Sequence, residues 1–214
     1  MRRRRVLVVA GATAAAALAV AGGVAYSRPD APSAAPATVP APPATVESAC
    51  GLPGTLGTKG AAAATWTNVA GWSLPTSTTD GPGTRTAGPW SCFTRTESGA
   101  VLAAYVIAMR TGLAEDWRSV VKTQTLPGPG QAVLLGSVPN ASSVTTPRGF
   151  DVAAYSPDRA TVRYRLSQND NDYACTIDVA WSDNDWRLVL GDDGSTSSGC
   201  VKGVPEDFTP WGPS

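Results

Sequence analysis

Histidine is absent from this chain of 214 residues, and that absence excludes several kinds of site. A Ser-His-Asp triad, a histidine general base and most zinc or iron sites need the imidazole side chain. The four cysteines form no C-x-x-C pair, which excludes a thioredoxin-like motif and a zinc ribbon. Aspartates crowd the turns between residues 170 and 193, but none lies in a calcium-binding loop with the required glycine and terminal glutamate. The sequence therefore predicts no cofactor and no metal ion.

An excess of basic residues is also missing from the part of the chain that is expected to fold. The whole chain has 17 basic and 17 acidic residues, but five of the arginines lie before residue 47. From residue 47 onward there are 12 basic and 16 acidic residues, a net charge of −4. Domains that bind nucleic acids have the opposite sign, so we expect no nucleic-acid partner.

The N-terminus has the features of a membrane-targeting segment. Residues 1–5 contain four consecutive arginines and are expected to stay in the cytoplasm, and residues 6–26 form an unbroken run of small apolar side chains. A run of this length is enough to cross a bilayer, which favours a retained single-pass anchor in the cell membrane. The alternatives are a cleaved signal peptide, since Gly23-Val24-Ala25 offers small residues for cleavage and release of a secreted protein, and a buried core helix. Residues 27–48 are rich in proline and alanine and predict a disordered, semi-rigid stalk.

The four cysteines, Cys50, Cys92, Cys175 and Cys200, follow the apolar run. An even number of cysteines outside the cytoplasm indicates two disulfides, and the sequence permits three ways of pairing them. We favour Cys50–Cys92, which ties the start of the domain to the strand before its first helix, and Cys175–Cys200, which fixes the C-terminal part to a central strand. Free buried thiols are the alternative.

Residues 49–214 have the length of one domain, and their first half predicts helices. The segment Thr94-Arg95-Thr96-Glu97 marks a helix start, either as a capping box or with Thr96 alone as the cap. The helix that follows is apolar on nearly all sides and should be the most buried one, with Gly112 ending it. A second helix is expected over 114–124 and a short third one over 131–135. A single strand with an irregularity at Gly71 is expected over 65–74.

The second half of the domain changes to the two-residue period of strands. Four strands are predicted over 149–156, 160–168, 173–182 and 186–191, and short turn sequences join them. This order predicts an α+β domain in which the helices pack on a curved antiparallel meander.

Several motifs between Cys50 and Gly212 resemble those of an uncharacterised actinobacterial family encoded with integrative and conjugative elements. The motifs are Cys50-Gly51-Leu52, Phe93-x-x-Thr96-x-x-Gly99-Ala100, Asp116-Trp117-Arg118, the hairpin with Trp181, Asp185 and Trp186, and Phe208-x-Pro210-Trp211-Gly212. The chain departs from that pattern at Arg95 and Glu97 and in the extra pair Cys175 and Cys200. The wider resemblance is to the nuclear-transport-factor-2-like (cystatin-like) cone, which TcpC-type conjugation proteins carry outside the membrane. It implies a pocket between helix and sheet.

Two groups of residues are candidates for sites. Tyr105, Tyr155, Tyr164 and Asp178 are the residues that we expect to line a pocket of the cone. Arg148, Arg159, Arg163 and Arg165 are the residues that we expect to form a basic interaction surface, unless they pair across strands with acids such as Asp178.

These features favour a non-catalytic, membrane-anchored interaction domain outside the cytoplasm. By the resemblance, its partners would be proteins of a conjugative transfer apparatus or another envelope assembly, and it could also form a homo-oligomer. One alternative is a secreted protein that binds a small ligand in the pocket of the cone. Another is a pocket enzyme, which without histidine would depend on aspartate and tyrosine alone.

Overall fold

The computed structural model describes residues 48, 50–54, 63–137, 144–203 and 207–214. The predicted cytoplasmic end, apolar run and nearly all of the stalk, residues 1–47, lie outside the described residues. Within the described residues, no helix combines the length and the apolar character needed to span a bilayer.

Three helices form the first layer, as the sequence predicts. Helix α1 spans Glu97–Leu113, and Thr96 caps it by accepting a hydrogen bond from the Gly99 amide. Of the two predicted starts, the cap at Thr96 is therefore confirmed. The prediction that Gly112 ends α1 is wrong, because the helix continues to Leu113 and ends where Ala114 becomes extended. Helix α2 spans Trp117–Gln124 and α3 spans Pro129–Gly136.

The second layer is the predicted antiparallel meander. Its strands are β5 (Thr146–Ser156), β6 (Arg159–Gln168), β7 (Asn171–Ser182) and β8 (Asp185–Val189). Two strands that the sequence did not indicate extend it. Strand β9 (Gly199–Lys202) pairs with β7, and β10 (Thr209–Pro210) pairs with β5 at the opposite edge. Mixed α+β architecture with a mostly antiparallel sheet is therefore confirmed.

The single strand predicted over 65–74 is instead a hairpin. Strand β1 (Thr65–Val69) turns through Ala70-Gly71 into β2 (Trp72–Thr76), with Val69 opposite Trp72. Ala70 and Gly71 both have positive φ, 50° and 89°, as a two-residue type I′ turn requires. Reading Gly71 as an irregularity missed the turn because alanine rarely occupies the first left-handed position. A smaller pair, β3 (Thr84–Arg85) and β4 (Trp90–Ser91), precedes α1.

The core lies between α1 and the inner face of the meander. Tyr164 on β6 is fully buried, and its hydroxyl donates to the Val101 carbonyl of α1 at 2.5 Å. Aromatic rings fill one end of the core: Trp66, Tyr105, Phe150, Tyr164 and Trp211. Trp211 comes from the segment that follows β10, so the packing at this end of the core is complete only when that segment is in place.

Both favoured disulfides are present. Cys50 is bonded to Cys92, and Cys175 is bonded to Cys200. The second bond joins directly opposite residues of β7 and β9, whose Cα atoms are 4.1 Å apart. Two disulfides are typical of an oxidising, extracytoplasmic environment.

Candidate interaction surface

The structure brings together two of the four residues predicted to line a pocket and places the other two elsewhere. Tyr105 and Tyr164 are fully buried, with ring centroids 5.5 Å apart. Asp178 lies on the outer face of the sheet, where it accepts a hydrogen bond from the Thr161 hydroxyl at 2.6 Å. Tyr155 is about one-third exposed near the end of β5. Asp178 therefore points away from the two inner tyrosines, because neighbouring strand positions point to opposite faces, and Tyr155 lies apart from them, opposite Ala160 at the other end of β6.

Burial controls the ionisation of the two inner tyrosines. It raises the pKa of Tyr105, and it raises the pKa of Tyr164 well above the usual value. The Tyr105 hydroxyl also has no hydrogen-bond partner among the described residues. A phenol in such surroundings stays protonated and is a poor general base.

This arrangement predicts a loss of stability at alkaline pH. Because the folded-state pKa values are raised, both states hold these protons below about pH 10, whereas above it only the unfolded chain releases them. The free energy of unfolding should then fall by up to about 1.4 kcal/mol per pH unit for each tyrosine. Urea unfolding at several pH values from 9 to 11 measures this slope.

Tyr105→Phe is the matched variant for that slope. It should leave stability at pH 7 unchanged or slightly higher, because it removes a hydroxyl without a described partner. It should also remove one tyrosine's share of the alkaline loss. An unchanged slope in this variant would show that Tyr105 ionises as freely in the folded chain as in the unfolded one.

Two of the four arginines of the predicted surface are neutralised by pairing across strands. Arg163 binds Asp151, with a distance of 2.8 Å from Nε to the carboxylate, and Arg165 binds Asp172 at 3.1 Å from Nε. The partners are Asp151 and Asp172, not Asp178 as suggested. Arg148 and Arg159 are exposed near opposite ends of the sheet. The four arginines therefore do not form a continuous basic patch.

The predicted hairpin between β7 and β8 is held by hydrogen bonds to Asp185. The half-buried Asp185 carboxylate accepts from the Cys92 amide at 2.7 Å, the Phe93 amide at 3.0 Å and the Trp186 amide at 2.9 Å. Burial raises the pKa of Asp185, while the three amides and Arg187 oppose that rise. Cys92 has a φ of 77°, which lies in the left-handed region. The hydrogen bonds from the Cys92 and Phe93 amides hold the backbone at this residue and at the next one. The Trp-x-x-x-Asp-Trp motif is thus a clamp between β8 and the start of α1.

Trp186 completes this clamp from the buried side. It is fully buried, and its indole Nε1 donates to the Thr94 carbonyl at 2.8 Å. The Thr94 hydroxyl in turn donates to the buried Asp80 carboxylate at 3.1 Å, and the Thr96 hydroxyl reaches the same oxygen at 3.2 Å. The sequence did not single out Asp80. Its only signal is an acid directly before a glycine in a Thr- and Gly-rich loop, which is typical of ordinary turns.

A cluster of large side chains reaches the surface beside the clamp, and we call it the turn-end cluster: Arg95, Tyr155 and Trp181. The Arg95 guanidinium lies 5.4 Å from the centroid of the Trp181 ring. It also donates from Nε to the Pro157 carbonyl at 2.9 Å and forms an ion pair with Asp158. The Tyr155 hydroxyl donates to the Arg95 carbonyl at 3.3 Å. Arg95 is one of the two positions that depart from the resembling family, and the sequence alone gave it no partner.

Trp186 supports the turn-end cluster from below. The Trp181 and Trp186 rings meet edge to face at 5.4 Å, and the Tyr155 ring centroid is 6.3 Å from that of Trp186. Tryptophan, tyrosine and arginine are the residues most often found at the energetic centres of protein interfaces. Here packing and hydrogen bonds fix them before any partner binds, which lowers the entropy lost on binding.

The chemistry of other candidate positions is limited in the described part of the chain. No group of three acidic or cysteine side chains there has the geometry of a metal site. A groove of about 550 Å³ lies beside the open end of the β1–β2 hairpin and is lined by Thr65, Thr76, Ser77 and Arg85 among others. None of the four residues predicted for the cone pocket lines this groove.

The comparison with protein families matches residues 30–210 to a domain of unknown function, DUF8175. The chain belongs to this family. No curated protein and no solved structure was found to match it. The DUF8175 match includes both disulfides, the clamp at Asp185 and the turn-end cluster, and it ends one residue before Trp211.

Proposed function

We propose that this DUF8175 protein is a non-catalytic interaction domain, held at the outer side of the cell membrane by residues 6–26 and raised from it by the proline-rich stalk. Two disulfides support a location outside the cytoplasm. We propose further that the domain is a nuclear-transport-factor-2-like cone. Helices followed by a meander, with α1 packed on its inner face, support that assignment.

The observation that carries the proposed function is the preorganised turn-end cluster. Arg95 is held by Asp158 and Pro157, and Trp181 is held by Trp186, so both groups are presented in fixed positions. In protein interfaces, a few tryptophan, tyrosine and arginine side chains that fill pockets of the partner contribute most of the binding energy. The partner we propose is a protein of a conjugative transfer apparatus or another envelope assembly, and the resemblance stated above supports that choice.

The test is affinity capture of the full-length protein from crosslinked native membranes, with mass spectrometry of the captured proteins. We expect the protein in the membrane fraction together with envelope or transfer-apparatus subunits. Trp181→Ala should reduce their recovery, because removing an anchor that contributes about 2 kcal/mol weakens the affinity by roughly 30-fold.

Trp117→Ala is the matched control for this experiment. Trp117 is also half-buried and also carries an arginine over its ring, since the Arg118 guanidinium lies 4.3 Å from its centroid. Because Trp117 lies outside the turn-end cluster, we expect recovery of the partner proteins to stay near the wild-type level in this variant. Equal losses in both variants would contradict a specific role of the turn-end cluster. Recovery of a shortened, soluble protein without partners would overturn the anchored interaction domain altogether.

A further inference from the structure

The exposed edges of the large sheet are protected against pairing with further strands. Strand β10 covers β5, and Pro210 within it lacks an amide hydrogen. At β8, the Leu126 amide donates to the Leu188 carbonyl at 2.9 Å. Strand β9 is only four residues long and ends in Lys202. Covering, proline, shortness and lysine are the usual ways in which proteins block edge pairing.

Among the described residues, none of these protections is found at strand β1. It pairs with β2 on one side, and no strand among the described residues pairs with its other side. Its sequence, Thr-Trp-Thr-Asn-Val, contains no charge, no proline and no glycine, and it is rich in residues that favour strands. Thr67 and Asn68 are exposed. Such an edge is a template for a further strand.

The register of the hairpin shows which backbone groups face the open side. Val69 and Trp72 close a two-residue turn, so the hydrogen-bonded pairs are 69 with 72, 67 with 74 and 65 with 76. Trp66 lies opposite Pro75, which cannot donate a hydrogen bond, and that agrees with this assignment. The amide and carbonyl groups of Trp66 and Asn68 therefore point away from β2.

We propose that β1 pairs with β1 of a second copy of this chain, in antiparallel orientation about a two-fold axis at Thr67. The backbone groups of Trp66 and Asn68 that point away from β2 fit this symmetry. Trp66 of one copy lies opposite Asn68 of the other, and Asn68 of the first copy lies opposite Trp66 of the second. In each pair, the two residues exchange amide-to-carbonyl hydrogen bonds. Four backbone hydrogen bonds result. The absence of charged residues in β1 favours this pairing, because a charged side chain at the axis would lie opposite the same charge in the second copy.

The side chains at the axis are also suited to this pairing. Thr67 of each copy occupies a non-hydrogen-bonded position, where opposite Cα atoms are about 4.5 Å apart. Threonine pairs are favourable in such positions of antiparallel sheets. The same kind of position on β7 and β9 accommodates the Cys175–Cys200 bond, with a Cα separation of 4.1 Å. The pairing is independent of the turn-end cluster, whose residues lie before α1, on β5 and on β7.

The first experiment is disulfide trapping in the full-length chain. Thr67→Cys places two thiols at the axis, and the natural cysteines are already bonded to each other. Non-reducing electrophoresis should show at least about tenfold more covalent dimer than for Thr123→Cys, because only the axial pair meets the distance requirement for a disulfide. Thr123 is an exposed threonine on α2 and serves as the control. Equal dimer yields from the two variants would overturn the proposal.

The second experiment uses charge to test the symmetry. Thr67→Lys and Thr67→Glu should each weaken dimerisation of the full-length chain by roughly two- to five-fold, because like charges then lie opposite each other. A mixture of the two variants should recover dimers, now as mixed pairs. The same two substitutions at Thr123 should change nothing. If the mixture does not recover, or if the wild-type chain is monomeric at every concentration tested, β1 does not pair with itself. Neither result bears on the turn-end cluster, whose partners are tested by Trp181→Ala.

Discussion

Replacing Asp185 with alanine is expected to lower the free energy of unfolding by about 3–5 kcal/mol. The substitution leaves the amides of Cys92, Phe93 and Trp186 without their acceptor. Cys92 and Phe93 are buried, so water cannot replace the carboxylate without opening the structure. A buried donor without a partner costs about 1–3 kcal/mol. Urea unfolding followed by tryptophan fluorescence measures the change.

The hairpin itself contains the control for this prediction. Asp183 is two residues away and pairs with Arg187, but its side chain is 75% exposed. Asp183→Asn should therefore change stability by less than about 0.5 kcal/mol, and asparagine tolerates the positive φ at this position. Asp185→Asn should fall between Asp185→Ala and the wild type, because its amide retains one acceptor oxygen. Similar values for Asp183→Asn and Asp185→Ala would mean that the three amide bonds do not hold β8 to the start of α1.

Replacing Trp211 with alanine is expected to cost about 3–5 kcal/mol, although it lies three residues from the end of the described chain. Its ring lies 4.7 Å from Trp66, 5.6 Å from Phe150 and 5.9 Å from Tyr164, measured between centroids. Only 6% of it is exposed. The loss should appear in urea unfolding and as a change in the near-ultraviolet circular dichroism of the remaining aromatic rings.

Two further variants separate this packing effect from a general weakness of the C-terminus. Trp211→Phe should restore part of the lost stability, because it keeps a ring in the space between the sheet and Trp66. Phe208→Ala should cost about 1 kcal/mol, because Phe208 is half-exposed and lies over Arg163 on the outer face. Equal costs for Phe208→Ala and Trp211→Ala would contradict the assignment of Trp211 to the core.

The sequence predicted those elements whose pattern is local. Thr96 caps α1 because its hydroxyl reaches an amide three residues away, and the meander follows from alternation within each strand. The hairpin at Ala70-Gly71 could not be predicted in the same way. Alanine pays a steric cost at a φ of 50°, so nothing in the local sequence marks it as a turn residue.

The candidate surface was less predictable because its contacts join distant parts of the chain. Asp185 lies more than 90 residues after Cys92 and Phe93, whose amides donate hydrogen bonds to its carboxylate. The motif was visible at Trp181, Asp185 and Trp186, but its role as a clamp needed the three-dimensional arrangement. Arg163 and Arg165 were visible as an alternating pair, and only the register of β5 and β7 decided that Asp151 and Asp172 neutralise them.

The Cys50–Cys92 bond also determines how the domain would carry mechanical tension. A pull applied at Ser48 reaches Cys50 after two residues and then passes through the disulfide directly to Cys92. From Cys92 the force continues along the backbone towards α1, and the hydrogen bond from the Cys92 amide to Asp185 shares part of it with β8. The β1–β2 hairpin lies in the part of the chain between the two bonded cysteines and is therefore outside this path. We therefore expect the hairpin to keep its shape when tension is applied at Ser48.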